Sequence, residues 1–226
     1  MNPEIHKEKI NDLSGAIIAG GKSQRFGSPK ALARLDHNSL LDIAVAALES
    51  LTSEILIITS KERIFLRYDI PVVTDIVPEC GPLGGIYTAL VCSRTRWIAT
   101  IPCDMPLLNA EVYRWLYTCK AQDRPIVARS EFGAEPLVAI WPKSVAPVIE
   151  SLLKQKKRDV KNCLYQTGAV QVDVARLMPG YQPDWFRNVN FKKDLEGIRR
   201  NRSRALKSQN KDKITLLVAD HSKKAK

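Results

Sequence analysis

No run of apolar residues in this chain approaches the ~18 needed to span a bilayer. Met1 to Leu13 are polar and charged and hold no apolar segment of the kind that directs export. A membrane association is therefore not expected, and the cytoplasm is the expected compartment. Histidine is scarce, with three in 226 residues, and none stands beside a cysteine at metal-ligand spacing. The five cysteines (Cys80, Cys92, Cys103, Cys119, Cys163) form no Cys-x-x-Cys pair, so reduced thiols are expected rather than a disulfide framework or a zinc site. No repeat array is visible, which excludes a solenoid.

The chain is 45% hydrophobic, enough for one sizeable core. Its net charge of +11 is unevenly placed. Residues 199–226 hold ten Lys/Arg against Asp212 and Asp220, a net of +8, whereas residues 1–198 carry 25 basic and 22 acidic side chains, a net of +3. We expect one domain over residues 1–198, followed by a poorly ordered basic tail over 199–226.

Short β-rich runs alternate with helical patterns. Gly15–Ala19, Glu54–Thr59, Pro71–Thr74, Trp97–Ile101 and Pro125–Arg129 read as strands, and Ser39 is placed to cap a helix that buries Leu40, Leu41, Ala44, Val45, Leu48 and Leu51. From Ala134 a strand at Glu135–Ile140, a helix after Pro142 and a strand near Ala169–Val174 read as the acceptor side of one cleft. Such alternation predicts an α/β fold with a mostly parallel central sheet flanked by helices, and ligands bind such sheets beyond the carboxyl ends of their strands.

Beyond the first strand lies Gly20-Gly21-Lys22-Ser23-Gln24-Arg25-Phe26-Gly27-Ser28-Pro29-Lys30. Glycines let backbone N–H groups close on an anion, and Lys22, Arg25 and Lys30 supply the charge that a polyphosphate needs. Ala16-x4-Gly21-Lys22-Ser23 approximates a P-loop, but a P-loop opens directly into a long helix, and Gly27 and Pro29 deny it one.

Three further motifs follow. Pro102-Cys103-Asp104-Met105-Pro106 ends a buried-type strand in a carboxylate between prolines; alone it reads as a turn, but beside a triphosphate loop Asp104 is the best placed carboxylate for Mg²⁺. Asp75, followed by Gly81-Pro82-Leu83-Gly84-Gly85, either accepts from a base or ribose or caps a turn. Asn188-Val189-Asn190, before a short helix with an acidic residue, offers neutral oxygens to a metal or phosphate, or is a turn.

In kind, order and spacing these motifs resemble those of the MobA-like nucleotidyltransferases, the molybdenum cofactor guanylyltransferases, over residues 14 to 198. The resemblance implies a single-domain, Rossmann-like nucleotidyltransferase fold and transfer of GMP from GTP to the phosphate of molybdopterin, with release of pyrophosphate and Mg²⁺ as cofactor. It implies catalytic roles for Arg25, Lys30 and Asp104, with the metal on Asp104. Nucleotide contacts fall on Ile18, Ala19, Gly20, Gly21, Lys30, Asp75, Gly81, Gly85 and Asp104, and Asn188 and Asn190 face the acceptor or metal. GTP and molybdopterin are the implied small-molecule partners, and a molybdoenzyme or its chaperone is the implied receiver of the product.

Some positions depart from that pattern. Thr59-Ser60 stands where Asn is frequent, and Glu135-Pro136 where Gln-Pro is common; a carboxylate facing an anionic acceptor calls for a cation such as Arg129. Lys154, Lys156, Lys157, Arg158 and Lys161 either receive the acceptor phosphate or form a solvated helix end. A cytidylyl- or sugar-nucleotidyltransferase shares the same chemistry. Nucleic-acid binding through the tail, with Trp97, Trp115 or Tyr117 stacking, is disfavoured because the body is nearly charge-balanced.

Overall fold

Strand β1 (Leu13–Ile18) is buried along its whole length, and its side chains alternate between two cores. Leu13 and Ile17 enter one apolar cluster, Ala16 and Ile18 the other. Two apolar faces at a period of two are what a central strand covered by helices on both sides requires. The computed structural model describes residues 8–20, 26, 29–60, 64, 65, 67–120 and 122–202.

β1 lies parallel between β4 (Glu54–Ile58) and β6 (Trp97–Pro102), and β5 (Val72–Val73) extends the parallel set at the edge. On the far side of β6 the pattern reverses. β8 (Gly133–Pro142) pairs antiparallel with both β6 and β7 (Ile126–Ser130), and β9 (Val170–Asp173) runs parallel to β7. The sheet order is β5-β4-β1-β6-β8-β7-β9. The fold is the expected α/β one with a mostly parallel sheet, and the five strands expected first lie within two residues of their expected bounds.

Helices α1 (Leu40–Glu49), α3 (Glu111–Thr118) and α6 (Val174–Leu177) cover one face; α2 (Gly81–Cys92), α4 (Ala146–Lys154) and α5 (Val160–Gln166) cover the other. Ser39 caps α1 as expected: its hydroxyl accepts from the Asp42 N–H at 3.0 Å while its own N–H donates to the Asp42 carboxylate at 2.7 Å, a reciprocal capping box. Among the described residues no helix is long and apolar enough to cross a membrane.

A third apolar cluster joins segments far apart in sequence. Phe26 from the Gly-rich loop, Leu35 from the short hairpin of β2 (Arg34–Leu35) and β3 (Asn38–Ser39), and Leu40 pack with Val189, Leu195 and Ile198. The last two belong to a helical segment over residues 192–202. Arg199 and Arg202 reach Asp36 in the hairpin turn at 3.8 and 3.3 Å, and Arg199 also donates to the Arg34 carbonyl at 2.8 Å. Residues 199–202 therefore continue a helix beyond the point where the tail was expected to begin; 203–226 lie outside the described residues.

The β6–β8 junction sets the spacing between the two halves of the sheet. There the fully buried Trp141 indole N–H donates to the buried Thr100 hydroxyl at 3.1 Å. Thr100→Val keeps the shape but strands that N–H, and urea unfolding is expected to show a loss of about 1–3 kcal/mol.

Candidate functional site

Lys30 stands at the start of a 3₁₀ turn, Lys30–Leu32, behind Pro29, whose ring fixes the approach of the chain. Its ammonium donates to Asp104 Oδ2 at 3.0 Å and to Asn190 Oδ1 at 3.2 Å. Three motifs separated by more than 70 residues thus meet at one charge. The Lys30 and Asp104 side chains are 20% and 31% exposed, so solvent screens the pair only in part.

The backbone holds this arrangement in place. The Val189 N–H donates to the Asp104 carbonyl at 2.7 Å, tying the Asn188–Asn190 segment to the end of β6. One Asp194 carboxylate oxygen accepts from the Asn190 and Phe191 N–H groups at 2.8 and 2.7 Å. Burial alone would raise the Asp194 carboxyl, but these two donors, with Lys193 and Arg187 nearby, bring it below its ordinary range.

Ile18 ends β1, Ala19 and Gly20 follow it at the carboxyl end of the sheet, and the Ala19 N–H donates to the Ile58 carbonyl at 2.9 Å. Asp75 folds back over this point. A Cβ on Gly20 would lie 3.8 Å from Asp75 Oδ2, and one on Gly85 would lie 3.2 Å from Ile18 Cγ2 and 3.7 Å from Asp75 Oδ1. The two glycines keep the Asp75 carboxyl within reach of backbone on both sides. Asp75 is half-buried, and burial raises its pKa above the usual carboxylate value. Its loop is pinned by the Ile76 N–H donating to Thr88 Oγ1 at 2.9 Å. Gly81 opens α2 in the left-handed conformation (φ +61°).

On the other side of Asp104, the reversed strand β8 brings Glu135 to the same sheet edge. The expected partner Arg129 is engaged elsewhere, donating to Gln171 Oε1 at 3.2 Å. Glu135 Oε1 accepts instead from the Ser130 hydroxyl at 2.7 Å, because a bulge between Val127 and Ala128 shifts the β7–β8 register and sets Ser130 against the start of β8. Burial first, and the charge of Asp104 second, raise the Glu135 pKa, against the lowering influence of Ser130.

Cys103, next to Asp104, is no nucleophile: burial pushes its thiol up to about 12. Asn188 is exposed and makes no side-chain hydrogen bond among the described residues, so of the two asparagines only Asn190 joins the cluster. Gly21, Lys22 and Arg25 lie outside the described residues. The basic segment sits against the Asp75 side: Lys154 pairs with Glu150 at 2.8 Å and Arg158 donates to the Glu79 carbonyl at 3.0 Å. Trp97 is buried in the core, and Trp115 and Tyr117 are partly buried against it. Sequence reading missed Ser130 and the Asp36 contacts; nothing local in the sequence signals either.

Residues 15–170 match the model of the MobA-like NTP transferase domain. The chain belongs to that family. It is a nucleotidyltransferase, 33% identical over 191 residues to a "Probable molybdenum cofactor guanylyltransferase" of Carboxydothermus hydrogenoformans, covering 84% of this chain and 96% of that one. A relative of the same name from Methanothermobacter thermautotrophicus is 32% identical over 192 residues, covering 80% and 96%. Among solved structures, molybdopterin-guanine dinucleotide biosynthesis protein A of Archaeoglobus fulgidus superposes with a TM-score of 0.74 at 22% identity, over 84% of this chain and 99% of that one. A CMP:2-keto-3-deoxy-manno-octonic acid synthetase complexed with CTP gives 0.65 at 12% identity, over 88% and 100%. Both share the fold.

The Asp194 carboxylate is stabilised when ionised, so its contribution to stability is complete above its unfolded pKa, near 3.8, and is lost as pH falls through the lower folded value. Asp194→Asn is expected to unfold earlier in urea than the wild type at pH 7, with the gap closing below about pH 4.

Proposed function

We propose that the protein transfers GMP from GTP to the terminal phosphate of molybdopterin, releasing pyrophosphate and leaving a guanine dinucleotide cofactor, in the cytoplasm. The observation that carries this reading is the meeting of Lys30, Asp104 and Asn190 at the carboxyl end of the sheet. Asp75, between Gly20 and Gly85, lies on one side of that point and Glu135 on the other.

An acceptor phosphate oxygen attacks the α-phosphorus of GTP and the bond to the β-phosphate oxygen breaks. Catalysis then consists of positioning and of neutralising charge on the non-bridging and leaving oxygens. Lys30 and Arg25 are the cations for the triphosphate and the departing pyrophosphate. Asp75 offers two carboxyl oxygens to the adjacent ring N–H and amino donors of guanine.

Mg²⁺ fits the residues present. Asp104 and Asn190 bring two hard oxygens onto a single cation, which here is the Lys30 ammonium. Among the described residues no three acidic, His or Cys side chains gather, so Asp104 and Asn190 would hold the ion together with nucleotide and water oxygens. When bound, Mg²⁺ neutralises phosphate charge. The Lys30 ammonium would serve the phosphates from the loop after β1.

The test is pyrophosphate release from GTP, CTP and ATP with Mg²⁺, with and without molybdopterin. Release is expected with GTP alone among the three and only with molybdopterin; Lys30→Ala and Asp104→Ala should each lower the rate by roughly 10²–10³-fold. Preference for CTP contradicts the reading.

Asp75 carries the opposite linkage to Asp194. Its folded pKa is raised, so ionisation destabilises the fold once pH rises past the unfolded value near 3.8. Asp75→Asn is expected to raise the melting temperature at pH 7 while weakening GTP binding about tenfold or more, read by calorimetry.

A further inference from the structure

Glu135 has no task in guanylyl transfer as derived so far, yet it occupies the cleft edge beside Asp104. Its carboxyl is half-buried, and its only hydrogen-bond partner among the described residues is Ser130. Ser130 is itself fixed, since its hydroxyl accepts from the Phe132 N–H at 3.0 Å. One carboxyl oxygen is thus held in orientation, and the other has no donor among the described residues. Arg129, the cation expected from the sequence, donates to Gln171 instead. A partly desolvated carboxyl that has no ion pair among the described residues costs stability, as a group kept for a ligand does.

Its surroundings are aromatic as well as acidic. Phe132, 71% exposed, stands at the tip of the β7–β8 hairpin three residues before Glu135. Tyr181, within electrostatic reach of Glu135, donates to Glu131 Oε2 at 3.2 Å and packs on Trp185 and Phe186, both at 6.0 Å between ring centroids. The sheet order sets this group on the opposite side of Asp104 from Asp75.

We propose that Glu135 determines acceptor specificity: its carboxylate accepts the adjacent ring N–H and amino protons of a 2-amino-4-oxo pterin edge, with Phe132 and Tyr181 beside the flat ring. The choice of a pterin rests on the guanylyl-transfer reading. The chemistry is that of Asp75 repeated, because guanine and pterin present the same pair of neighbouring donors. Two half-buried carboxyls then flank one phosphate centre, one for each heterocycle.

The test uses 6-hydroxymethylpterin, followed by its own fluorescence, and GTP, followed by calorimetry, on the wild type, Glu135→Gln and Glu135→Ala. Wild type is expected to bind the pterin, Glu135→Ala about tenfold or more weakly, and Glu135→Gln in between, since an amide accepts one proton but opposes the second donor. GTP affinity should stay within twofold in all three, and KM for molybdopterin should rise while KM for GTP does not. Equal pterin affinity in all three proteins, parallel loss of pterin and GTP binding, or no pterin binding by the wild type each overturns the assignment. Failure of the wild type to release pyrophosphate from GTP with molybdopterin would instead overturn the reading on which it rests.

Discussion

The ammonium of Lys30 is the contact on which the rest of the site depends. It joins a loop after β1, the end of β6 and the segment before the last helix, none of which is close to another in sequence. A partly buried ion pair is rarely a net source of stability, since desolvating both charges offsets their attraction. What the pair does is local: it brings a carboxylate oxygen and an amide oxygen, donors that suit a hard metal ion, together with a cation that suits phosphates. The fold supports it through backbone, by the Val189–Asp104 hydrogen bond and the Asp194 cap, and through the third apolar cluster beneath.

The sheet divides the labour. Its uniformly parallel half, β5-β4-β1-β6, delivers loops to one edge and makes the Asp75 side. The reversed strand β8 delivers its beginning, not its end, to that same edge, and so adds Glu135 without adding another crossover. A purely parallel sheet would have supplied only strand ends. The single reversal is what brings a second half-buried carboxyl, Glu135, to the side of Asp104 opposite Asp75.

Much of this was legible in the sequence because it is local. Strand patterning, the Ser39 cap and the motifs around Lys30, Asp75, Asp104 and Asn190 depend on residues near one another in the chain. What was not legible depends on register and packing. In the sequence Glu135 calls for a cation such as Arg129 on the neighbouring strand, whereas a bulge hands it to Ser130. Asn188 and Asn190 look equivalent in the motif, and a period of two would put them on one face, but only Asn190, whose N–H the Asp194 carboxylate holds, accepts from Lys30. The basic segment at the end of α4 reads by charge either as an anion site or as a solvated helix end, and its position on the Asp75 side follows only from the packing of α4 on α2.

The most direct test is a crystal structure of the complex with GTP and Mn²⁺, read by the manganese anomalous signal. The account predicts manganese on Asp104 with the Lys30 ammonium transferred to the phosphates. Nucleotide bound with the Lys30–Asp104 pair intact and manganese elsewhere would contradict it.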